Sequence, residues 1–461
     1  MDQLSDVGRH RLEDFIEQIG DLLGHVKRRA SFATYALGLL GDGERKSVEP
    51  IAARACGNAR DVDAAHQRLL HFLTDAGWSD AAVRRAAALY AVGVMTKREP
   101  VEAWILDDTG FLKQGTHSVG VQRQYTGSAG KIANCQIGVS LSVATHTEHV
   151  PVDFELYLPK SWTENAARRK EARIPDDIVF KTKPELALDM LRHAIGWGLP
   201  LGVVLGDAGY GTSSDFRLEV RQLGLHYSVA TSPQTKVFEI GDVINPGGAS
   251  INVRDLAFKL NANGKFRRCT WREGTKGDLS ARFAMRRVSP AREQHRELAE
   301  RETVWLLIEW RDGEAEPANY FLSSLPAATT CQELVRLTMQ RWRTERVYED
   351  LKGELGLDHF EGRRFPGWHH HISVALCCFA FVVAERNRIF PLPSRRTSSA
   401  QAHSRSARAP LRRLIHHRPP RRRPSDLDMA SPLPVLPSPA QASTPLGLPL
   451  SSLDPSDHLT Q

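Results

Sequence analysis

Two stretches of this chain end an apolar run in a carboxylate followed closely by glycine. They are Trp104-Ile105-Leu106-Asp107-Asp108-Thr109-Gly110 and Val203-Val204-Leu205-Gly206-Asp207-Ala208-Gly209. A carboxylate at the end of a buried strand is held rigidly on the rim of a sheet, where α/β proteins build their sites. The same aspartate also serves as a plain turn former or helix cap, and one alone would carry little weight. Two such strands shift the balance towards chemistry. A third group, Arg341, Glu345, Tyr348 and Lys352, sits at offsets 0, 4, 7 and 11. At about 100° per residue these fall on one helix stripe. A solvated salt-bridge ladder has the same spacing and contributes only ~0.2–0.5 kcal/mol per pair. What sets this stripe apart is the text after it, Gly353-Glu354-Leu355-Gly356-Leu357-Asp358-His359-Phe360-Glu361-Gly362-Arg363.

The elements that must position these residues follow from the periodicity. Residues 1–98 read as helical: LEDFIEQIGDLLGHV, DVDAAHQRLLHFL and SDAAVRRAAALYAVGVM carry apolar residues at helical spacing, and Pro50 opens a further helix. From Ala103 the pattern changes. AWILDDTG reads as a short buried strand ending in its acids, and NCQIGVSLSVAT and HVPVDFELYL continue a strand series. KPELALDMLRHAIGWGL is a helix, LGVVLGDAGYG a buried strand ending at Asp207, DFRLEVRQLG a helix and LHYSVATS a strand, which together make an α/β core. Residues 233–320 hold short strand-like segments (KVFEI, SINVRDLA, KFRRCTWREG, ARFAMRRV, TVWLLIEW) and read as a mostly β insertion. NYFLSSLP returns to the core. CQELVRLTMQRWRTERVYEDLKGELG reads as one long helix and SVALCCFAFVVAERNRI as an apolar last one.

WILDDTGFLKQG, VVLGDAGYG and RWRTERVYEDLKGELGLDHFEGR together resemble the DDE transposases of bacterial insertion sequences. They are most similar to the branch with a Tyr-Arg-Glu-Lys pattern around the last acid, in its DDTG / GDAGYG / LGLDHFEGR subgroup. The resemblance covers roughly residues 20–390. It implies an RNase H-like catalytic core interrupted by an insertion between the second Asp and the Glu. On that basis the expected layout is a helical DNA-binding domain at 1–98, the core at 99–232 and 321–390, the β-rich insertion at 233–320 and a disordered tail at 391–461.

Carried over position by position, the second acid is Asp207 and the third Glu345, with Arg341 as the pattern's Arg and Lys352 as its Lys. Thr338 stands where the pattern has Tyr, so a terminal phosphate contact from that position is missing or supplied elsewhere. The first acid is Asp107 or Asp108. Strand alternation puts them on opposite faces, so one alone points into the site. An Asp-x-Thr reading of the first motif narrowly prefers Asp107. Glu349 is the fallback for the third acid. Asp107 or Asp108, Asp207 and Glu345 are the expected catalytic acids and metal ligands. The expected cofactor is Mg²⁺, two ions about 3.5–4 Å apart, with Mn²⁺ able to substitute. Mg²⁺ takes few carboxylates and completes its shell with waters and substrate phosphates, so three acids suffice for two ions.

The expected DNA contacts are Arg45 and Lys46, whose loop precedes a helix N-terminus; Arg123 and Lys131, in a Gly-containing loop between two core strands; Trp271, interleaved with Lys265, Arg267, Arg268 and Arg272; and Arg341 and Lys352. Cations beside an aromatic suit an unpaired DNA end, where a base can stack. Trp305 and Trp310 are expected in the core. Three other signals carry no site. TGSAGK at 126–131 imitates a phosphate-binding loop, but Gln124 and Ile132 stand where Gly and Ser/Thr are needed. His369, His370 and His371 are consecutive and cannot all face one metal; a domain boundary or a phosphate contact fits them better. Cys377 and Cys378 lie within an apolar helix and read as core.

Composition bounds the rest. At 461 residues, 25% charged and 41% hydrophobic, the chain is not a peptide, a coiled-coil rod or a wholly disordered protein, and its length suggests about three domains. The net charge of +7 is misleading. Residues 391–461 hold ten Arg, no Lys and four Asp, and the first 390 residues are near neutral. No run of eighteen apolar residues and no apolar leader is visible, so neither a membrane span nor a signal peptide is expected. Six sparse cysteines without a CxxC pair fit a reducing cytoplasm, and the resemblance implies a nucleoid-associated protein there.

The expectation is a transposase that binds the terminal inverted repeats of its element, cuts with Mg²⁺ and joins the ends to target DNA. The resemblance implies a homodimer on paired ends. The alternatives are a catalytically decayed transposase that only binds DNA, and a metal-dependent nuclease unrelated to transposition.

Overall fold

The computed structural model describes residues 2–240, 249–274, 277–291 and 302–389. The Pro- and Arg-rich tail expected at 391–461 lies outside the described residues. Five helices come first: α1 (Asp2–Asp21), α2 (Val26–Leu40), α3 (Val48–Ala55), α4 (Val62–Thr74) and α5 (Asp80–Met95). Strands β1 (Ala103–Leu112), β2 (Gln122–Thr126), β3 (Lys131–Ala144) and β4 (His149–Tyr157) follow. Then come α6 (Lys160–Thr163), α7 (Ala166–Ala172), α8 (Lys183–Gly196), β5 (Val203–Gly206), α9 (Ala208–Gly211), α10 (Ser214–Gln222) and β6 (Tyr227–Ala230).

The next segment holds β7 (Lys236–Glu239), β8 (Ile251–Asn252), α11 (Val253–Ala262), β9 (Arg267–Gly274), β10 (Gly277–Pro290), β11 (Val304–Trp310) and β12 (Asn319–Ser323). Helices α12 (Cys331–Thr338), α13 (Arg343–Leu355) and α14 (Phe365–Ile389) close the described chain.

All twelve strands among the described residues belong to one mixed sheet. Its order is β2-β3-β1-β5-β6-β12-β11-β10-β7-β8, with β4 on β3 and β9 on β10. Strands β1, β5 and β6 run parallel; β3 is antiparallel to both β1 and β4. Residues 233–320 therefore extend the central sheet through β11 and β12, whose far edge pairs with β6.

Four local readings change. β1 does not end at its acids. β3 pairs with it from Ala103↔Ala144 to Leu112↔Cys135, so the ladder carries it past Asp107 and Asp108. The stretch 117–131 is not all loop, because Gln122–Thr126 pairs with β3 as an edge strand. SINVRDLA contributes only two strand residues before α11, whose Val253, Leu256, Ala257 and Leu260 are buried at helical spacing. The long helix at 331–356 is broken. After α12 the chain tightens into a 3-10 turn, Met339–Trp342, and α13 starts anew at Arg343. Apolar spacing alone does not register that change of pitch.

Helix α14 is long and apolar enough to cross a membrane, and the whole of that stretch is buried inside the protein. It packs against α2, α4, α5, α13 and β4. Its three histidines are structural. His369 reaches Glu155 at 3.3 Å, His370 contacts the carbonyls of Leu73 and Trp78 and stacks on Trp78, and His371 meets the Tyr35 hydroxyl at 2.8 Å. None is exposed to meet a phosphate.

One buried charge cluster joins α5, β4 and α14. The Arg84 guanidinium is 3% exposed and lies 2.8 Å from Asp153, 2.5 Å from Asp80 and 2.9 Å from Glu155, and it donates to Ser373. Asp153 is fully buried. Removing one partner of such a pair leaves the other charge buried alone, which costs about 3–5 kcal/mol. Arg84→Leu should lose stability on that scale in urea unfolding, and Arg84→Lys should lose less.

Acid should unfold this fold through two other buried rings. His149 has no hydrogen-bond partner at either nitrogen among the described residues, and burial pushes it down from 6.5 to about 3, aided by Arg343 and Arg386. Burial pushes His371 down to about 4. The unfolded chain takes up these protons below pH 6.5, whereas the folded chain resists until pH 3–4. Stability is thus full above 6.5 and lost as pH falls through that window. His149→Leu should move the acid midpoint, followed by near-ultraviolet circular dichroism, to lower pH.

Candidate active site

The site is built on the parallel seam between β1 and β5. Their register pairs Ala103 with Val203, Trp104 with Val204 and Ile105 with Leu205. Continued by two residues, it sets Asp107 beside Asp207 where β5 ends. Asp207 then caps α9, its Oδ1 accepting the Gly209 amide at 2.8 Å. The turn is tight because α9 lies directly on β6. A Cβ at Gly211 would stand 2.0 Å from the Ala230 carbonyl oxygen, so no larger residue fits there.

Alternation along β1 separates the two adjacent acids. Asp108 turns to the face covered by α8 and pairs with Lys183 at 2.7 Å. Asp107 turns to the opposite face, which α13 crosses. Its Oδ1 accepts the Asp108 amide at 2.9 Å and its Oδ2 lies 3.2 Å from Arg341. Burial pushes the Asp107 carboxyl up to about 7; Arg341 and the Asp108 amide oppose the rise, and the nearby Asp207 and Asp108 charges add to it.

Helix α13 is fastened along this face. The Tyr348 hydroxyl bonds Ser140 at 2.5 Å, directly across the ladder from Asp107. The Lys352 ammonium donates to Thr109 Oγ1 at 2.9 Å, the Gly110 carbonyl at 2.8 Å and Ser128 Oγ at 3.1 Å. Burial lowers the Lys352 pKa. The Tyr210 hydroxyl is buried without a hydrogen-bond partner among the described residues, and the Asp108, Asp207 and Asp107 charges reinforce the rise that burial gives its pKa.

The structure does not gather Asp107, Asp108, Asp207 and Glu345 into one ligand set. Among the described residues no group of three His, Cys, Asp or Glu side chains is placed to hold a metal ion. Asp108 faces away with Lys183, and Glu345 is exposed, with no hydrogen bond or ion pair among the described residues. The 3-10 turn brings Arg341, not Glu345, over Asp107. Glu349 is also exposed and pairs with Arg346.

The expected DNA contacts divide. Arg123 and Lys131 are exposed on the β2-β3 hairpin, which Ser128 ties to β1 and Lys352. Arg45 is exposed and pairs with Glu361. Lys46 is turned inward: it is buried and its ammonium donates to the Leu39 and Gly41 carbonyls at the end of α2, so it is not free to clamp a phosphate. Trp271 is half-buried against Phe283, lining a cleft with His146, Arg272, Arg336, Trp342 and Arg343. Arg272 lies 3.6 Å over the Trp342 ring. Trp310 is buried, and Trp305 packs beneath Arg287. Sequence reasoning missed Lys183, Tyr210, Ser128 and Ser140; of these Tyr210 lay within a motif already singled out and Ser128 within the discarded TGSAGK stretch.

Residues 18–278 match a family described as DDE superfamily endonuclease, over half of the chain. The chain belongs to the DDE superfamily endonucleases. Residues 176–381 match a second family, described as Transposase DDE domain. A probable transposase for insertion sequence element IS701 from Microchaete diplosiphon is 28% identical over 220 residues, 48% of this chain and 53% of that protein. The chain thus spans about half the length of the curated relative it matches. This DDE-superfamily chain carries Asp107 and Asp207 within the first match, and Asp207 and Glu345 within the second.

The raised Asp107 carboxyl has a measurable consequence. Between pH 3.8 and about 7 the folded chain keeps a proton that the unfolded chain has lost, so stability falls as pH rises through that window. Asp107→Asn cannot ionise. In EDTA at pH 8 it should be more stable than the parent by ~4 kcal/mol in urea unfolding, with the difference nearly gone at pH 4.

Proposed function

We propose that this chain is a DDE transposase of an insertion sequence. It binds the element's terminal inverted repeats as a homodimer and catalyses Mg²⁺-dependent strand cleavage and transfer to target DNA. The single observation that carries this reading is the pair Asp107 and Asp207, set side by side at the end of β5 and faced by Arg341 from the 3-10 turn. An RNase H-like core is supported by the order β4-β3-β1-β5-β6, three antiparallel strands followed by two parallel ones.

The donor set fits a hard cation. Two carboxylates lie together, and Asp107 resists ionisation because it is buried near two further acids. Mg²⁺ would be held by Asp107 and Asp207; Glu345, the third acid of the sequence motif, stands apart from them on α13. When bound it would supply the positive charge that activates the attacking water or 3′-hydroxyl and steadies the leaving oxygen.

The chain's own residues do the rest. Arg341 holds Asp107 and presents a guanidinium to a phosphate entering between α13 and β1. Lys352 fixes the pitch of α13 against Thr109 and Gly110. Arg123 and Lys131 offer exposed cations to the DNA backbone, and Arg45 gives a further contact. Trp271 and Arg272 line a cleft suited to an unpaired base. Lys183 holds Asp108 on the opposite face, which leaves Asp107 as the first acid. The helices at 1–98 would carry the recognition of the ends.

The test uses a plasmid carrying the gene with its native flanks, in Mg²⁺ or EDTA. Cuts at the element ends should need metal. Asp207→Ala and Asp107→Asn should each lower the rate at least ~10²-fold, whereas Asp108→Asn should keep most of it. Binding at the ends without cleavage in Mg²⁺ or Mn²⁺ would instead favour the binding-only alternative. Cuts unrelated to the ends would favour a general nuclease.

A further inference from the structure

Two of the six thiols of this chain share one small apolar cluster. Cys269 is on β9 and is buried; Cys331 opens α12 and is half-exposed. The Cys269 thiol is near enough to Cys331 to reinforce the rise that burial gives the Cys331 pKa. The surrounding packing holds them there independently. The Gln332 side chain donates to the Thr270 carbonyl at 3.0 Å, which binds the next residue of each element to the other. Both cysteines pack in one small cluster with Phe283, Leu307, Leu334 and Val335. The other described thiols are placed differently. Cys135 donates to the Gln124 carbonyl and Cys378 to the Ala36 carbonyl. Cys377 and Cys378 are consecutive on α14 and diverge by about 100°.

We propose that Cys269 and Cys331 are a modification site, forming a reversible intramolecular disulfide by exchange with a small-molecule disulfide. The sequence of steps follows from exposure. Cys331 meets the oxidant first: its thiolate attacks one sulfur, breaking the oxidant's S–S bond and expelling one thiolate. The buried Cys269 sulfur then displaces the second half from Cys331. The two cysteines lose two protons and two electrons, and the oxidant leaves as two thiols.

Burial, with the neighbouring thiol, pushes Cys331 up to about 12. The first step is therefore slow at neutral pH, while the second is fast because Cys269 packs in the same cluster. The product ties β9 to the first turn of α12, the helix that leads through Met339–Trp342 to Arg341. In a reducing compartment such a bond forms only under oxidative conditions.

The experiment treats the native full-length protein with oxidised glutathione, then alkylates and digests it without reduction. The free-thiol count should fall from six to four, and mass spectrometry should find one linked pair, the Cys269 and Cys331 peptides. Dithiothreitol should restore six. In Cys269→Ser, glutathione should stay on Cys331, because nothing resolves the mixed disulfide. The proposal is overturned if the native chain keeps six thiols while the urea-unfolded chain oxidises. It is also overturned if the native chain accumulates glutathione on Cys331 without the linked peptide. Both readouts are independent of DNA cleavage, so they stand or fall separately from the transposase reading.

Discussion

Helix α14 is apolar on every face, and an all-round apolar helix has to be covered on every side. The chain meets that demand by wrapping. Helices α2, α4, α5 and α13 and strand β4 all pack on it. The few polar groups it carries are matched inside the wrap. Glu385 is fully buried and receives the Arg11 guanidinium at 2.8 and 3.0 Å, with Arg388 beside it. The helices at 1–98, much of the sheet and one face of the acid-bearing seam share one hydrophobic interior, while Ala103, Ile105 and Leu205 on the Asp107 face pack with Leu337. Because α13 is clamped between α14 and β1, the placement of Arg341 and Lys352 is inherited from this packing and needs no loop to hold it.

The seam between β1 and β5 shows how a fold imposes a cost at the place it uses. Burial there disfavours a charge on Asp107, and Asp207 makes it worse. Arg341 offsets part of this, and the remainder is an electrostatic deficit that a cation would relieve. Asp108, one residue on, escapes the conflict by turning to Lys183. Adjacent acids with opposite fates are a direct product of strand alternation.

Much of this was readable beforehand. The strand and helix alternation from Ala103 to Ala230 shows in hydrophobic spacing because each element there buries one face on a common core. The motifs around Asp107, Asp207 and Glu345 were visible because an apolar run followed by acid and glycine is unusual text. What stayed hidden depends on contacts between distant residues. No local pattern says that β3 will extend β1 past its acids, or that Lys46 will fold back onto the end of α2. The break at Met339–Trp342 is invisible for a different reason. An α-helix and a 3-10 turn differ by little in where they send an apolar side chain over four residues. Yet that small difference decides whether Arg341 or Glu345 stands over Asp107.

The seam between β6 and β12 has a consequence for how the chain comes to be folded. β6 ends at Ala230, and its outer edge partner, β12, begins at Asn319. During synthesis at about 5–20 residues per second, the edge of β6 stays unsatisfied for some seconds after it leaves the ribosome. Such an open edge is a template for pairing with the wrong chain. The helices at 1–98 wait longer, until α14 arrives to fill the space they surround. Folding of this protein is therefore dominated by late, non-local closure, and it is slow for that reason. A nascent chain of this kind depends on protection until its last long helix has emerged.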